Sequence, residues 1–535
     1  MKFRHFRSLL LLSLVYLPSA FAQAPAPAGQ TVLVVPFENQ SKAPGLEWIG
    51  DSFPELLQQR LDSPTIYVLP REDRLRAYDR LGIPVELRPS RATIYRLAEQ
   101  LDVDYVVLGE YSFDGRTFTT HAQLLDMRRE HLLPEITETG PLVDLINVQT
   151  ALSWEILRGL NPAFSLAREA YLSQAAPARL DAFEHYIKGV ITPKVEEQEQ
   201  HFREALKLNP TYTQAELQLG KAYYRQHQYE PAMSTLARIP AGDAESSEAN
   251  FFLGLSAYYR SDFPRAESAF NFVASRLPLA EVYNNLGVVV DHRDMKTATE
   301  YFQKAVATDS NDPDYHFNLG VELYRTGDQS GAARQLREAL NLRPGDGDAR
   351  ALLDSLPGGN SAGQRVVPAN AKTPMERIRA NYDESSFRQL ALKIDAAAEQ
   401  KLVKADPRSH TQYHLDRGRQ LLSQGFVSEA EREFREAVTI SPSSPEAHNG
   451  LASALEAANN NSEARAEAET ALRLRPSAEP LLLLARLDLR DNKVEAAAAR
   501  VEEALRLEPG NAAAQTLKRS VAAKLAREAQ PLPNR

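Results

Sequence analysis

The sequence predicts a mainly α-helical protein, a solenoid of paired helices in two arrays, preceded by a small α/β domain. Three observations predict it. Small residues recur at Gly189, Gly220, Gly254, Gly287 and Gly320, then at Gly418, Ala452 and Ala485, in steps of 31 to 34 residues within each set. Between residues 31 and about 160, β-branched apolar runs alternate with apolar residues at four-residue spacing. The chain of 535 residues is 43% hydrophobic, enough for packed cores; much of its proline (33 residues) closes repeat helices, and many of its 25 glycines mark helix crossings or the break between arrays.

Composition also excludes chemistry. The chain has no cysteine, which rules out disulfides, cysteine nucleophiles, thiolate zinc sites and iron–sulfur clusters. Its net charge is −9 and becomes more negative without the basic first residues Lys2, Arg4 and Arg7. That balance argues against a general nucleic-acid partner, which needs basic surface to displace counterions from phosphate.

Taken in order, residues 1–22 carry a short basic start, the apolar run Ser8–Leu17 and the small residues Ala20 and Ala22, the three parts of a secretory signal peptide cut near Ala22-Gln23. The apolar run is shorter than the roughly 20 residues a membrane span takes, and no cysteine follows for a lipid anchor. A periplasmic or secreted protein without a membrane span is expected, with residues 23–30 an Ala/Pro tether.

Residues 31–160 are expected to form the α/β domain. Thr31–Phe37 suits a strand buried on both faces. A helix follows with Ile49, Phe53, Leu57 and Leu61 on one face, then a strand at Thr65–Leu69. Ser90 caps a helix through Ile94, Leu97 and Leu101. Val103–Tyr111 and Thr117–Leu125 are strands joined at Asp114-Gly115, and a last helix runs from about Val143 to Leu160. On Val34-Val35-Pro36-Phe37-Glu38-Asn39, the Trp48 to Leu57 helix and Val103 to Glu110, this stretch resembles the TolB N-terminal and CsgG-like families. The resemblance implies an assembly or envelope-associated module with no catalytic residues to carry over. The lipidated cysteine and membrane hairpins of a CsgG pore are missing, so a pore is not implied.

The repeats are expected at 182–354 (about five) and 410–527 (three plus a capping helix). In each unit the small residue lets two helices cross closely. An alanine about twelve residues on (Ala232, Ala266, Ala298, Ala332, Ala430, Ala464, Ala497) fills the contact, and proline (Pro210, Pro240, Pro344, Pro442, Pro476, Pro509) ends the second helix. With Arg334–Pro344 and Glu433–Pro442 as the nearest matches, the pattern resembles tetratricopeptide repeats (TPRs). Between the arrays, 355–372 is expected to be a flexible linker, and 373–404 a bridging helix opened by the capping box Thr373-Pro374-Met375-Glu376 and running through Phe387, Leu390 and Ile394, which either stacks as an irregular unit or separates the arrays.

No phosphate loop, dinucleotide fingerprint, nucleophile elbow or zincin helix occurs, so no catalytic, cofactor or metal site is assigned. His410, His414 and Asp406 have ligand-like spacing, but His185, His316, His414 and His448 all stand four residues before a small residue, the packed large site of the repeat. Asp346 and Asp348 lack the rest of a calcium loop. Asp114, His121 and Asp126 could meet across the hairpin, but His121 shares the polar strand face with Thr117, Thr119 and Gln123, so simple exposure is expected.

The binding surface is expected on the first helices of the first array: Lys221, Tyr224, Arg225, Phe251, Tyr258, Tyr259, Asn284, Asn318, Phe317, Tyr324 and Arg325, with Val288, Asp291 and Val321 between them. Aromatic anchors with Arg and Asn suit a peptide groove, and Asn284 and Asn318 resemble the asparagines with which TPR grooves hold peptide backbone. The second array offers Leu415, Arg419, Asn449 and Ser453. The leading expectation is an exported, non-enzymatic adaptor for protein or peptide partners. A subunit of an envelope assembly or secretion complex is the alternative. An enzyme with a site in the α/β domain is the third, and it would need a pocket with perturbed carboxylates.

Overall fold

The computed structural model describes residues 29–528 apart from 42, 64–65, 86–88, 162–163, 165, 175–178, 292, 357–375, 403–405, 424–426 and 459. The leader 1–22 and nearly all of the tether and linker therefore lie outside the described residues. No helix among the described residues is long and apolar enough to cross a membrane.

The small domain contains β1 (Gln30–Val34), β2 (Glu38–Asn39), α1 (Trp48–Leu61), β3 (Ile66–Val68), α2 (Arg71–Leu81), α3 (Arg91–Leu101), β4 (Tyr105–Phe113), β5 (Phe118–Asp126), β6 (His131–Leu132), β7 (Ile136–Gly140) and α4 (Leu145–Leu160). The sheet runs β3-β1-β4-β5-β6, with β2 on β4 and β7 on β5. β1 pairs in parallel with β3 and β4, while β4 and β5 form an antiparallel hairpin. The hairpin closes where Gly115 takes a φ of +95° and Asp114 Oδ1 accepts from the N–H groups of Arg116 (2.8 Å) and Thr117 (2.7 Å).

β1 is covered on both faces, as its unbroken apolar run requires. Val32 and Val34 face α1 and α4, whereas Leu33 and Val35 face α2 and α3. Ser90 Oγ caps α3 by accepting from the Thr93 N–H at 3.2 Å. Alternation along β5 buries Phe118, Thr120, Ala122 and Leu124. Helix α2 and the short strands β2, β6 and β7 were not anticipated, because polar stretches such as Arg71–Leu81 have no clear apolar stripe.

Five helical pairs follow: Leu180–Ile191 with Val195–Leu208, Thr213–Arg225 with Tyr229–Leu236, Ser246–Tyr259 with Phe263–Ala274, Ala280–Asp291 with Met295–Thr308, and Pro313–Arg325 with Gln329–Leu342. The single helix Gly347–Ser355 closes that array. Three more pairs begin at Pro407, Pro445 and Ala478, and Ala512–Glu528 covers the last through Ala514 and Val521. The crossing chemistry is direct. A Cβ built on Gly287 would meet the Phe302 ring at 2.6 Å, and one on Gly254 the Phe270 ring at 2.8 Å, so only glycine lets these rings close over the neighbouring helix. The seven alanines of the second helices are all fully buried.

The small domain and the first array share one hydrophobic core. Trp48 of α1 meets Phe183 edge-on with ring centroids 6.3 Å apart, and the Tyr186 hydroxyl donates to Glu55 at 3.1 Å. The domain thereby covers the apolar end of the first repeat, which an open solenoid would leave exposed.

The bridging segment departs from expectation. Glu376–Asp383 is not helical, and the helix spans Glu384–Leu402. Asp383 opens it, its Oδ1 accepting from the Ser386 N–H at 3.1 Å. A helix from Thr373 would have withdrawn backbone groups of Arg377 and Arg379 that bond to the first array instead. Nor do Leu390 and Ile394 form its packing face, since they are 58% and 51% exposed. Leu392 is the buried anchor, packed on α3 residues Leu97 and Ala98, with Ser385 bonded to Asp73 and Lys393 paired with Asp102.

Candidate peptide groove

The fourth and fifth pairs set three asparagines on adjacent turns: Asn284 and Asn285 on Ala280–Asp291, and Asn318 on Pro313–Arg325. All three are fully buried. The segment Glu376–Asp383 lies against them. Asn318 holds Arg377 at both ends, its Nδ2 donating to Arg377 O (2.9 Å) and its Oδ1 accepting from Arg377 N–H (2.7 Å). Asn285 holds Arg379 in the same way, at 2.8 Å in each direction. Asn284 Nδ2 also donates to Arg377 O at 2.8 Å, while its Oδ1 accepts from Asn318 Nδ2 at 2.7 Å. An extended chain presents alternate residues to one side, so two consecutive repeats grip residues 377 and 379 as a neighbouring β-strand would.

Side chains complete the seat. The Arg377 guanidinium stacks 3.7 Å from the centre of the Phe317 ring and pairs with Asp314 (2.8 Å) and Asp346 (2.5 Å). Arg379 pairs with Asp312 and Asp314, both at 2.7 Å, and lies over Tyr315. Glu376 pairs with Arg325, which also holds Asp291 at 2.9 Å. Tyr382 sits 5.3 Å from the Phe251 ring, and Asp383 N–H donates to Glu281 at 2.7 Å. The segment thus runs from the fifth pair towards the third, against the order of the repeats.

Ionisation follows from this arrangement. Burial pushes Asp314 up, but hydrogen bonds and charge from Arg343 and Arg377 outweigh it and hold the carboxyl below its usual range. The Arg377 hydrogen bond does the same for Asp346 against weaker burial. Glu281 is raised to about 7 by burial, although Asp383 N–H bonds favour its ionised form. Glu322 is raised to about 8 by burial and then by the Asp291 carboxylate beside it.

The remaining expected groove residues divide in two. Tyr258 and Tyr324 are partly buried, and Glu376 helps to raise the Tyr258 hydroxyl. Val288 and Val321 are core. Lys221, Tyr224, Arg225 and Tyr259 stand apart from the bound segment. Lys221 bridges Glu248 (2.6 Å) and Glu72 of α2 (3.5 Å), and Arg225 donates to Gln198. Tyr224 and Tyr259 join Tyr229 in a ring cluster, with Tyr259 stacked 5.0 Å from Tyr229. Asn285, Glu281, Asp312 and Asp314 were missed. Asn285 was legible, because it and Asn318 both stand two residues before their crossing glycine. Asp312 caps its helix through the Asp314 N–H.

A cavity of about 760 Å³ lies where α1 and α2 face the first three pairs. Burial raises Glu55 on its wall to about 7 and Glu245 to about 8. Its lining holds no histidine, serine or cysteine. Three histidines at the packed site of the repeats pin the two helices of their pair. His316 bonds Gln335 (2.6 Å), His414 bonds Glu433 (2.7 Å) and His448 bonds Glu467 (2.6 Å), each nineteen residues on. Among the described residues no group of three or more acidic or histidine side chains is placed to hold a metal ion. Asp114 and Asp126 lie at opposite ends of β5 from one another, and His121 bonds Thr137 instead.

Models of the tetratricopeptide repeat match residues 251–313, 289–349 and 415–479, and a second such model matches 199–250. The helical pairs within these ranges are tetratricopeptide repeats. Similar solved structures include MamA (21% identity, TM-score 0.27, covering 28% of this chain and 89% of that one). Another is YrrB, described as a TPR protein with an unusual peptide-binding site (16%, 0.29, 32% and 90%). A third is the first TPR of Spaghetti (RPAP3) bound to an HSP90 peptide (23%, 0.21, 22% and 94%). No curated protein sequence matches the chain.

Proposed function

We propose that this chain is an exported, non-enzymatic TPR adaptor whose first array holds an extended segment of a protein partner. One observation carries the reading: Asn318 and Asn285 each bond both backbone groups of an alternate residue in an extended strand. Paired amide-to-backbone bonds recognise chain conformation irrespective of side chains, as a peptide receptor must. The helical crossings do not need those side chains, because Gly287 and Gly320 already provide close approach. The α/β domain, in this reading, anchors the solenoid through the shared core. Export rests on the first 22 residues, and mass spectrometry of the mature chain should give Gln23 as its first residue.

The groove reading is tested by panning a displayed library of random peptides against Arg377→Glu/Arg379→Glu, which weakens the hold of the chain's own segment, with and without the further changes Asn285→Ala/Asn318→Ala. Enrichment only where both asparagines are kept supports it. Equal enrichment on both chains, or none on either, contradicts it.

A further inference from the structure

The groove is filled by the chain's own residues, and the filling shows what it selects. Around Arg377 and Arg379 stand Asp312, Asp314, Asp346 and Asp348, with Arg343 as the cation contributed by the array itself. The Asp314 and Asp346 side chains are only 10% and 4% exposed. A neutral extended peptide would satisfy the asparagines but strand these carboxylates, which is costly for charges held out of water. Arginine also fits better than lysine at the first position. A planar guanidinium can stack on Phe317 while bonding two carboxylates, and a compact ammonium cannot do both.

The hold on the segment is strong in number and open in character. Arg377 and Arg379 keep 21% and 24% of their side-chain surface in contact with solvent, and Ala380 and Asn381 are exposed. Such a contact can exchange without dismantling the solenoid core beneath it.

We propose that the partner segment is an extended peptide with two arginines one residue apart, and that Glu376–Asp383 is the chain's built-in competitor for the same seat. The proposal rests on the groove reading above and adds its chemical selectivity and its regulation. Because the competitor is tethered, it acts at an effective concentration in the millimolar range. A free peptide of equal intrinsic affinity therefore binds the intact chain weakly, and only a tighter or multivalent partner opens it.

The test titrates a fluorescent, end-blocked peptide of sequence Glu-Arg-Ile-Arg-Ala-Asn-Tyr-Asp into the full-length wild type and into Arg377→Glu/Arg379→Glu, whose segment the aspartates repel. The variant should bind at least about tenfold more tightly. Peptides with Ala-x-Ala or Lys-x-Lys in place of Arg-x-Arg should lose most of that gain. Equal binding of the alanine peptide would overturn the selectivity while leaving a peptide groove. Binding of no peptide to a folded variant would overturn both readings. Should the variant not fold, hydrogen exchange on the wild type decides. Millimolar peptide must speed exchange at the Arg377 and Arg379 amides, and unchanged rates would show a permanent clasp. A concentration-dependent dimer with the segments swapped would also contradict the proposal, by making a second copy the occupant.

Discussion

In the fourth and fifth pairs of the first array, the residue two before the crossing glycine is Asn285 or Asn318. In the second array that place is taken by Asp416, Gly450 and Leu483. Asp416 is exposed and pairs with Arg419. Gly450 lies so close to Phe434 that a Cβ would meet the ring at 2.3 Å, and Leu483 is core. Asn449, one place earlier, has a buried Oδ1 with no hydrogen-bond partner. Both arrays solve the crossing problem with the same small residues and rings, Gly287 under Phe302 and Gly418 under Phe434. What differs is the nearby position two residues before: in the fourth and fifth pairs it carries asparagines that bind, whereas in the second array Gly450 and Leu483 are taken up by packing. A repeat can therefore keep its fold and lose its groove one side chain at a time.

The largest effects should separate the arrays. Phe302→Ala and Phe434→Ala each remove a fully buried ring and should cost about 3–5 kcal/mol. Only Phe302→Ala should expose the Arg377 and Arg379 amides to exchange. If Phe434→Ala exposes them equally, the two arrays melt as one and the comparison breaks. Next, Asn318→Ala leaves Arg377 N–H without its acceptor and should cost about 1–3 kcal/mol. A melting curve should detect it, and Asn449→Ala should move that curve much less.

A smaller contrast concerns pH. Glu281, facing Asp383 and Arg379, has a folded value raised to about 7 from an ordinary 4.5. Its contribution is fully present below about 4.5 and is lost as pH rises through about 7. Glu433 in the second array runs the other way. Burial raises it, but His414, Arg432 and Arg417 outweigh burial and hold it below its ordinary 4.5. Its contribution is present above about 4.5 and lost as pH falls through the depressed value. Corrected exchange rates should show residues 376–383 loosening between pH 5 and 8, with Glu281→Gln flattening the trend, while the helix Val427–Ile440 loosens in acid. The same direction in both regions would contradict this assignment. Smallest of all, Arg419→Ala removes an exposed pair with Asp416 and should change stability by less than about 1 kcal/mol.

Much of the architecture was legible because it rests on periodic local chemistry. A glycine every 33 or so residues, an alanine twelve later and a terminal proline each have one physical use in a helical pair. The groove was half legible. Asn284, Asn318, Phe317 and Arg325 follow from counting along the register, but the residues that charge the site come from loops and helix starts. Asp312 and Asp346 double as helix caps. The bridging segment was misread because helical propensity and a capping box are local signals. The backbone partners that override them are more than ninety residues away for Arg379, at Asn285.

The central claim is that the first array grips an extended chain through its backbone, and amide exchange on the wild-type protein tests it most directly. The Arg377 and Arg379 N–H groups, accepted by Asn318 and Asn285, should exchange at least about a hundredfold more slowly than the same sequence as a free peptide. Rates equal to those of the free peptide would contradict the account.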